Sequence, residues 1–241
     1  MIGYIERLTV PVSKQISDLL KKVNGFAHTD GVAVASTIDA NSKLVLYWLP
    51  YLECRKTGTA DELLDGVASS LIEAAACAAL GLVRPALFSM RTEVDLILTW
   101  LYFKDHPIEW DNVNKTGDGF KLKKDIFDYL SRYFDGFGER YGILKQITQR
   151  LEQDTYRFLS AHIHSQSLTT LPIAKKLSCV VRDKKTGDEL ALIAKDVDEY
   201  ISDILMALYI RDWAHIPAHL TKSLDIRFKT PAQKTTFFGS I

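Results

Sequence analysis

Five side chains capable of acid–base or phosphate chemistry are crowded into residues 152–167. They are Tyr156, Arg157, Ser160, His162 and His164. Histidine is the side chain best suited to proton transfer near neutral pH, and arginine is a natural ligand for phosphate. The stretch therefore indicates proton transfer at a phosphate ester. The alternative is that the histidines only stabilise the carboxyl end of a helix, where cations are favourable.

Helix geometry sorts these residues by face. At about 100° per residue, Tyr156, Ser160 and His164 follow one another at intervals of about 40°. Arg157 and His164 are about two turns apart and share a face, whereas His162 lies about 140° from Arg157. We therefore expect a reactive face near the carboxyl end of this helix, with either histidine as the reacting group.

A second set of charges lies within the most apolar part of the chain. Its members are Glu73, Arg84, Arg91, Glu93 and Asp95. Buried charges are rare unless they are paired, and Arg91 and Asp95 are four positions apart, which allows direct pairing on a helix. We expect Arg91 to be mostly buried against Glu73, Glu93 or Asp95, so that truncating it costs roughly 3–5 kcal/mol. A register-fixing ion pair is the simpler interpretation, and a catalytic or small-molecule site is the alternative.

Composition and motifs narrow the function classes. Basic and acidic residues each number 30, so the net charge does not indicate a nucleic-acid or membrane partner. The three cysteines form no C-x-x-C pair, and a His-x-His pair on a helix does not easily chelate one ion, so we expect neither metal nor cofactor. Nucleotide-binding, zinc-protease and α/β-hydrolase motifs are absent from the sequence. The first residues do not resemble a secretory signal, and we expect a cytoplasmic protein.

The apolar pattern predicts an all-α protein, a helical bundle built round a central pair of helices. The pair is expected at residues 61–83 and 85–106, divided at Arg84-Pro85 because proline suits the first turn of a new helix. So short a connection makes the two helices antiparallel neighbours. Three charges in the middle of the second helix would be expensive in lipid, which argues against a membrane span.

The remaining segments are predicted from periodicity and turn chemistry. Further helices are expected at 12–23, 121–134, 143–164 and 191–213. Residues 110–121 are predicted to be a polar loop, 136–142 a break, and 180–190 a β-hairpin or a surface loop, with the loop favoured. The segment after residue 226 has no pattern, which indicates disorder or docking on a partner.

We expect residues 1–241 to form a single helical domain. Within it, 1–58 would be an N-terminal extension that packs on a core of residues 59–226, and 227–241 would be a tail.

The stretch from Arg157 to His162 or His164 resembles the R-x4–6-H signature of the HEPN superfamily of small helical proteins. Arg91 and Glu93 resemble the arginine and glutamate that related families carry in an apolar helix. The ending at Asp212, Trp213, Ile216 and Pro217 is also similar, as is the Tyr156, Leu159, Ser160 pattern. The resemblance covers roughly residues 60 to 220. Phe158 is a departure, since the family usually has a polar residue directly after the arginine.

The resemblance implies a metal-independent endoribonuclease, an effector of a bacterial toxin–antitoxin or antiphage defence system that works as a homodimer. In that reading His162 or His164 moves a proton, Arg157 offsets phosphate charge, and Tyr156 or Ser160 orients the reactants. The alternative is a non-catalytic helical module that binds a cognate protein partner in such a system. A third reading is a helical bundle that binds a small molecule in the interior at Glu73 and Arg91.

Overall fold

The computed structural model describes residues 10–239, and these contain helices, turns and bends but no strand. The all-α prediction is confirmed for this part of the chain. The helices are α1 (Val12–Phe26), α2 (Val32–Asn41), α3 (Lys43–Glu53), α4 (Glu62–Ala79), α5 (Val83–Phe103), α6 (Pro107–Thr116), α7 (Lys123–Tyr133), α8 (Phe137–Gln146), α9 (Thr155–Ile163), α10 (Lys184–Tyr209), α11 (Ala218–Asp225) and α12 (Pro231–Gly239).

The predicted central pair is present as α4 and α5. Asp61, just before α4, accepts a hydrogen bond from the indole of Trp100 near the far end of α5 (3.1 Å), which shows that the two helices run antiparallel. The division between them lies at Gly81, not at Arg84-Pro85. Gly81 has φ +73° and, with Leu82, closes a Schellman motif on the last turn of α4. Pro85 lies in the first turn of α5, where its missing N–H is not needed.

The long helix α10 runs through the interior of the bundle. Its carboxylates accept hydrogen bonds from backbone N–H groups of neighbouring segments. Asp198 accepts hydrogen bonds from the backbone N–H groups of Leu44 (3.0 Å) and Val45 (2.8 Å), and so caps the amino end of α3. Asp183 caps α10 itself by accepting from the Thr186 N–H (3.0 Å). The prediction of a loop or hairpin at 180–190 is therefore wrong, because most of this segment forms the first turns of α10.

A single helix over 143–164 is also wrong. Residues 147–154 are not helical because carboxylates of α10 take their backbone N–H groups. Glu199 accepts from Gln149 (3.0 Å), and Asp196 accepts from Leu151 (3.1 Å) and Glu152 (2.9 Å). These bonds replace the helical ladder and leave α9 as a short, separate helix.

Three other connections also differ from the predictions. Most of the expected polar loop at 110–121 is α6, which begins at Pro107. The expected break at 136–142 is the start of α8, and only Gly136, with φ +71°, departs from helical geometry. The expected patternless tail contains α12, whose Phe237 is fully buried. Turn-forming residues in these segments are overridden by packing on the rest of the bundle.

The first helices contribute to the same core as the central pair. Val34, Trp48 and Leu52, from α2 and α3, are each at most 1% exposed. No helix within residues 10–239 has both the length and the apolar character that a membrane crossing requires.

Candidate functional site

Helix α9 packs against α5, and the five residues predicted as a site divide over its faces. One flank carries Tyr156 and Ser160, and both contact Arg91 of α5. The Arg91 guanidinium lies 3.6 Å from the centre of the Tyr156 ring, and its Nε donates to Ser160 Oγ (3.2 Å). Lys123 Nζ lies 4.5 Å from the same ring. This flank holds the two helices together through an arginine and an aromatic ring.

The opposite flank carries Phe158 and His162, whose ring centres are 4.7 Å apart. His162 is half-buried and lines a groove together with Arg84, from the start of α5. Burial lowers the pKa of His162, and the charge of Arg84 lowers it further. The imidazole is therefore neutral at neutral pH.

The outward face of α9 carries Arg157 and His164. Both residues are exposed, and within residues 10–239 neither side chain forms a hydrogen bond or an ion pair. Only the backbone N–H of Arg157 is engaged, by the capping carboxylate of Asp154 (3.1 Å). Arg157 and His164 thus share a face, as the helical spacing predicts.

The predicted residues therefore do not converge on one site. The face shared by Arg157 and His164 is separated from the flank of His162 by the body of the helix. The arginine beside His162 is instead Arg84, far away in sequence. The sequence placed Arg84 among the charges of the apolar pair, but only the tertiary fold could show that it meets His162.

The interior charges are also distributed differently from the expectation. Arg91 is mostly buried, with its side chain 11% exposed, and forms an ion pair with Asp95, as predicted. Glu73 is exposed, so it does not join Arg91 in the interior, where the third reading placed a small-molecule site. Glu93 is 2% exposed, and its Oε1 has no hydrogen-bond partner among the described residues. Burial raises the pKa of Glu93 well above its ordinary value, and the nearby carboxylate of Asp198 raises it further.

The groove beside His162 has a volume of about 630 Å³. It lies between the start of α5, the end of α9, the loop 164–176 and the start of α10. Arg84 donates hydrogen bonds to the Ile163 carbonyl (3.3 Å), Ser165 Oγ (3.1 Å) and the Thr170 carbonyl (3.4 Å), and so fixes the loop that forms one wall. Arg182 also lines the groove.

Metal ligands do not gather in the described part of the chain, where no three His, Cys, Asp or Glu side chains come together. No protein-family model, curated protein or solved structure matches this sequence or its fold.

Proposed function

We propose that this chain is a metal-independent endoribonuclease whose reacting groups are His164 and Arg157. The observation that carries the proposal is their shared outward face on α9, where both are exposed and unengaged within residues 10–239. This pair has the R-x6-H spacing of the HEPN signature. An exposed arginine and an exposed imidazole on one face suit a large polyanionic substrate better than a buried pocket would.

Two copies of α9 would complete the site. Arg157 and His164 are equidistant from the point between Ser160 and Ala161. In an antiparallel pair of α9 helices related by a two-fold axis through that point, Arg157 of one copy lies opposite His164 of the other. Ala161 is small, which permits close approach of the two helices. We therefore propose a homodimer with two equivalent arginine–histidine pairs.

The chemistry follows from these groups. His164 accepts the proton of a ribose 2′-hydroxyl, the 2′-oxygen bonds to phosphorus, and the bond from phosphorus to the 5′-oxygen breaks. The leaving 5′-oxygen takes a proton from solvent, while Arg157 offsets the charge on the phosphoryl oxygens. The products carry a 2′,3′-cyclic phosphate and a 5′-hydroxyl. We propose that the protein acts as an effector in a bacterial toxin–antitoxin or antiphage system.

A non-catalytic binding module is the second candidate, and one observation favours it. Tyr156 and Ser160, which the resemblance assigns to catalysis, contact Arg91 and hold α9 on α5. Residues of the family-like pattern can thus serve packing alone.

Incubation of the purified protein with total RNA in EDTA between pH 6 and 8 tests the proposal. The wild type should yield cyclic-phosphate ends, and His164→Ala should lower the rate at least about 100-fold. Arg157→Ala should also weaken cleavage strongly. His162→Ala is the matched control, since it removes the same side chain from the other flank of the same helix, and it should cleave normally.

Intact RNA throughout, or cleavage only with added divalent metal, would overturn the ribonuclease proposal in favour of the binding module. Loss of cleavage in His162→Ala but not in His164→Ala would overturn the assignment of the face. Expression in a bacterium gives a second readout: the wild type should be toxic and His164→Ala harmless.

A further inference from the structure

The groove between α5, α9 and α10 has the make-up of a ligand site. Its volume of about 630 Å³ is that of a pocket for a small organic molecule. Most of its wall is aliphatic, contributed by Leu82, Val83, Leu87, Leu171, Ile173 and Val180. Pro172 and Ala174 continue that wall along the loop. The apolar part of a ligand of matching size can be buried away from water against this wall.

Two arginines and one glutamate supply the charges of the groove, and neither arginine is paired within residues 10–239. Among the described residues, neither Arg84 nor Arg182 forms an ion pair with a carboxylate. The acidic side chain in the lining is Glu189, which faces Lys185 at 4.0 Å. A guanidinium that meets only neutral carbonyl and hydroxyl oxygens retains its full charge toward a ligand.

Arg84 also has donors to spare. A guanidinium carries five N–H groups, and the three bonds to the end of α9 and the loop leave two of them unused. The neutral imidazole of His162 adds a further hydrogen-bonding group to the lining. Planar arginine donors match the paired oxygens of carboxylates and phosphates.

We infer that this groove binds a small amphipathic anion, with its carboxylate or phosphate monoester between Arg84 and Arg182 and its apolar body against Leu87, Leu171 and Ile173. This inference does not depend on ribonuclease activity, because the groove lies on the flank of α9 away from Arg157.

Anilinonaphthalene sulfonate, an aromatic anion whose fluorescence rises in apolar sites, is the probe for a direct test. Saturable binding to the wild type is expected, with roughly tenfold weaker binding in Arg182→Gln and Arg84→Gln from the loss of a charge-assisted hydrogen bond. Lys176→Gln is the matched control, since it removes an exposed cation near the groove that neither lines it nor pairs with a carboxylate among the described residues, and it should bind as the wild type does.

Competition then defines the headgroup. Naphthyl phosphate and naphthoate should displace the probe, whereas the neutral naphthylmethanol should not. Stronger displacement by one anion identifies whether the site takes phosphate monoesters or carboxylates. Arg84→Gln removes hydrogen bonds to the loop and could unfold the protein. In that case Arg182→Gln, with a melting curve equal to that of the wild type, decides whether the arginines bind the anion. Equal probe binding by Arg182→Gln and the wild type, or equal displacement by naphthylmethanol, would overturn the inference.

Discussion

Two pairs of arginines in this molecule have opposite surroundings. Arg150 and Arg227 lie in the interior on either side of Asp203, with nitrogen–oxygen distances of 2.5 and 2.6 Å, and Glu199 lies within 3.6 Å of both. Arg84 and Arg182 line an open groove and meet no carboxylate among the described residues. The charges of the first pair are compensated by buried carboxylates, while those of the second pair are not.

This difference in pairing indicates which arginines stabilise the fold and which are available to bind a ligand. A buried arginine must be matched by carboxylates because an unpaired charge in the interior is expensive. An arginine that lines a groove without a carboxylate partner can form charge-assisted hydrogen bonds with a bound anion. Charge balance around an arginine therefore distinguishes a structural residue from a binding residue in this fold. The following substitutions test that distinction, beginning with the largest effect.

Removing the carboxylate that serves both interior arginines should be severely destabilising. Asp203→Ala leaves Arg150 and Arg227 close together in the interior, and we expect a loss of about 3–5 kcal/mol in the free energy of unfolding. Urea denaturation monitored by circular dichroism measures it. Asp188→Ala is the control, since Asp188 forms an ion pair of similar length with Lys184 on the exposed face of the same helix and should cost at most about 0.5 kcal/mol. Equal losses for the two variants would contradict the proposed role of burial.

Glu93 is the counterpart of these arginines, a buried acid with an unpartnered oxygen. Its pKa in the folded state is raised, so folding takes up a proton. Above its unfolded pKa, and until the folded pKa is reached, the free energy of unfolding falls by about 1.4 kcal/mol per pH unit. Glu93→Met keeps the volume and removes the charge. Its advantage over the wild type should therefore grow with pH above about 4.5, the ordinary pKa of a glutamate, by up to about that slope, as measured by denaturation at each pH.

Asp198, whose pKa is raised to about 7 by burial, is present in both proteins, so its own titration is common to both apart from its interaction with Glu93. A Glu93→Met advantage that stays constant across the pH range would mean that Glu93 is already charged in the folded protein.

Arg91 lies between the two classes of arginine. Its partner Asp95 is 37% exposed, so the earlier expectation of 3–5 kcal/mol for a buried carboxylate does not apply. We expect Arg91→Ala to cost about 2 kcal/mol, from the lost contact with Tyr156 and the hydrogen bond to Ser160. Arg157→Ala, on the exposed face of α9, should change the stability by less than about 0.5 kcal/mol. If Arg91→Ala is as mild as Arg157→Ala, the contact with α9 adds no stability.

The sequence predicts those parts of the fold that depend on local pattern. The apolar runs give α4 and α5, and the spacing of Val197, Ile201 and Ile204 gives the second half of α10. The sequence cannot show where residues 147–154 leave the helix, because the competing acceptors, Asp196 and Glu199, come about 45–50 residues later in the chain.

The candidate site also has one part that the sequence predicts and one part that only the tertiary fold determines. Helical periodicity already separates Arg157 from His162 and joins it to His164. The meeting of His162 with Arg84 depends on how α9 packs across α5 and on the loop 164–176, and no local pattern encodes that crossing.

The cap that Asp198 places on α3 has a consequence for biosynthesis. Leu44 leaves the ribosome 154 positions before Asp198, an interval of roughly 8–30 s at ordinary rates of translation. During that interval the amino end of α3 lacks its acceptor, and the apolar α4–α5 pair is already exposed without α10 to cover it. We therefore expect the nascent chain to expose this apolar surface until α10 has been made, and a truncation upstream of α10 to aggregate.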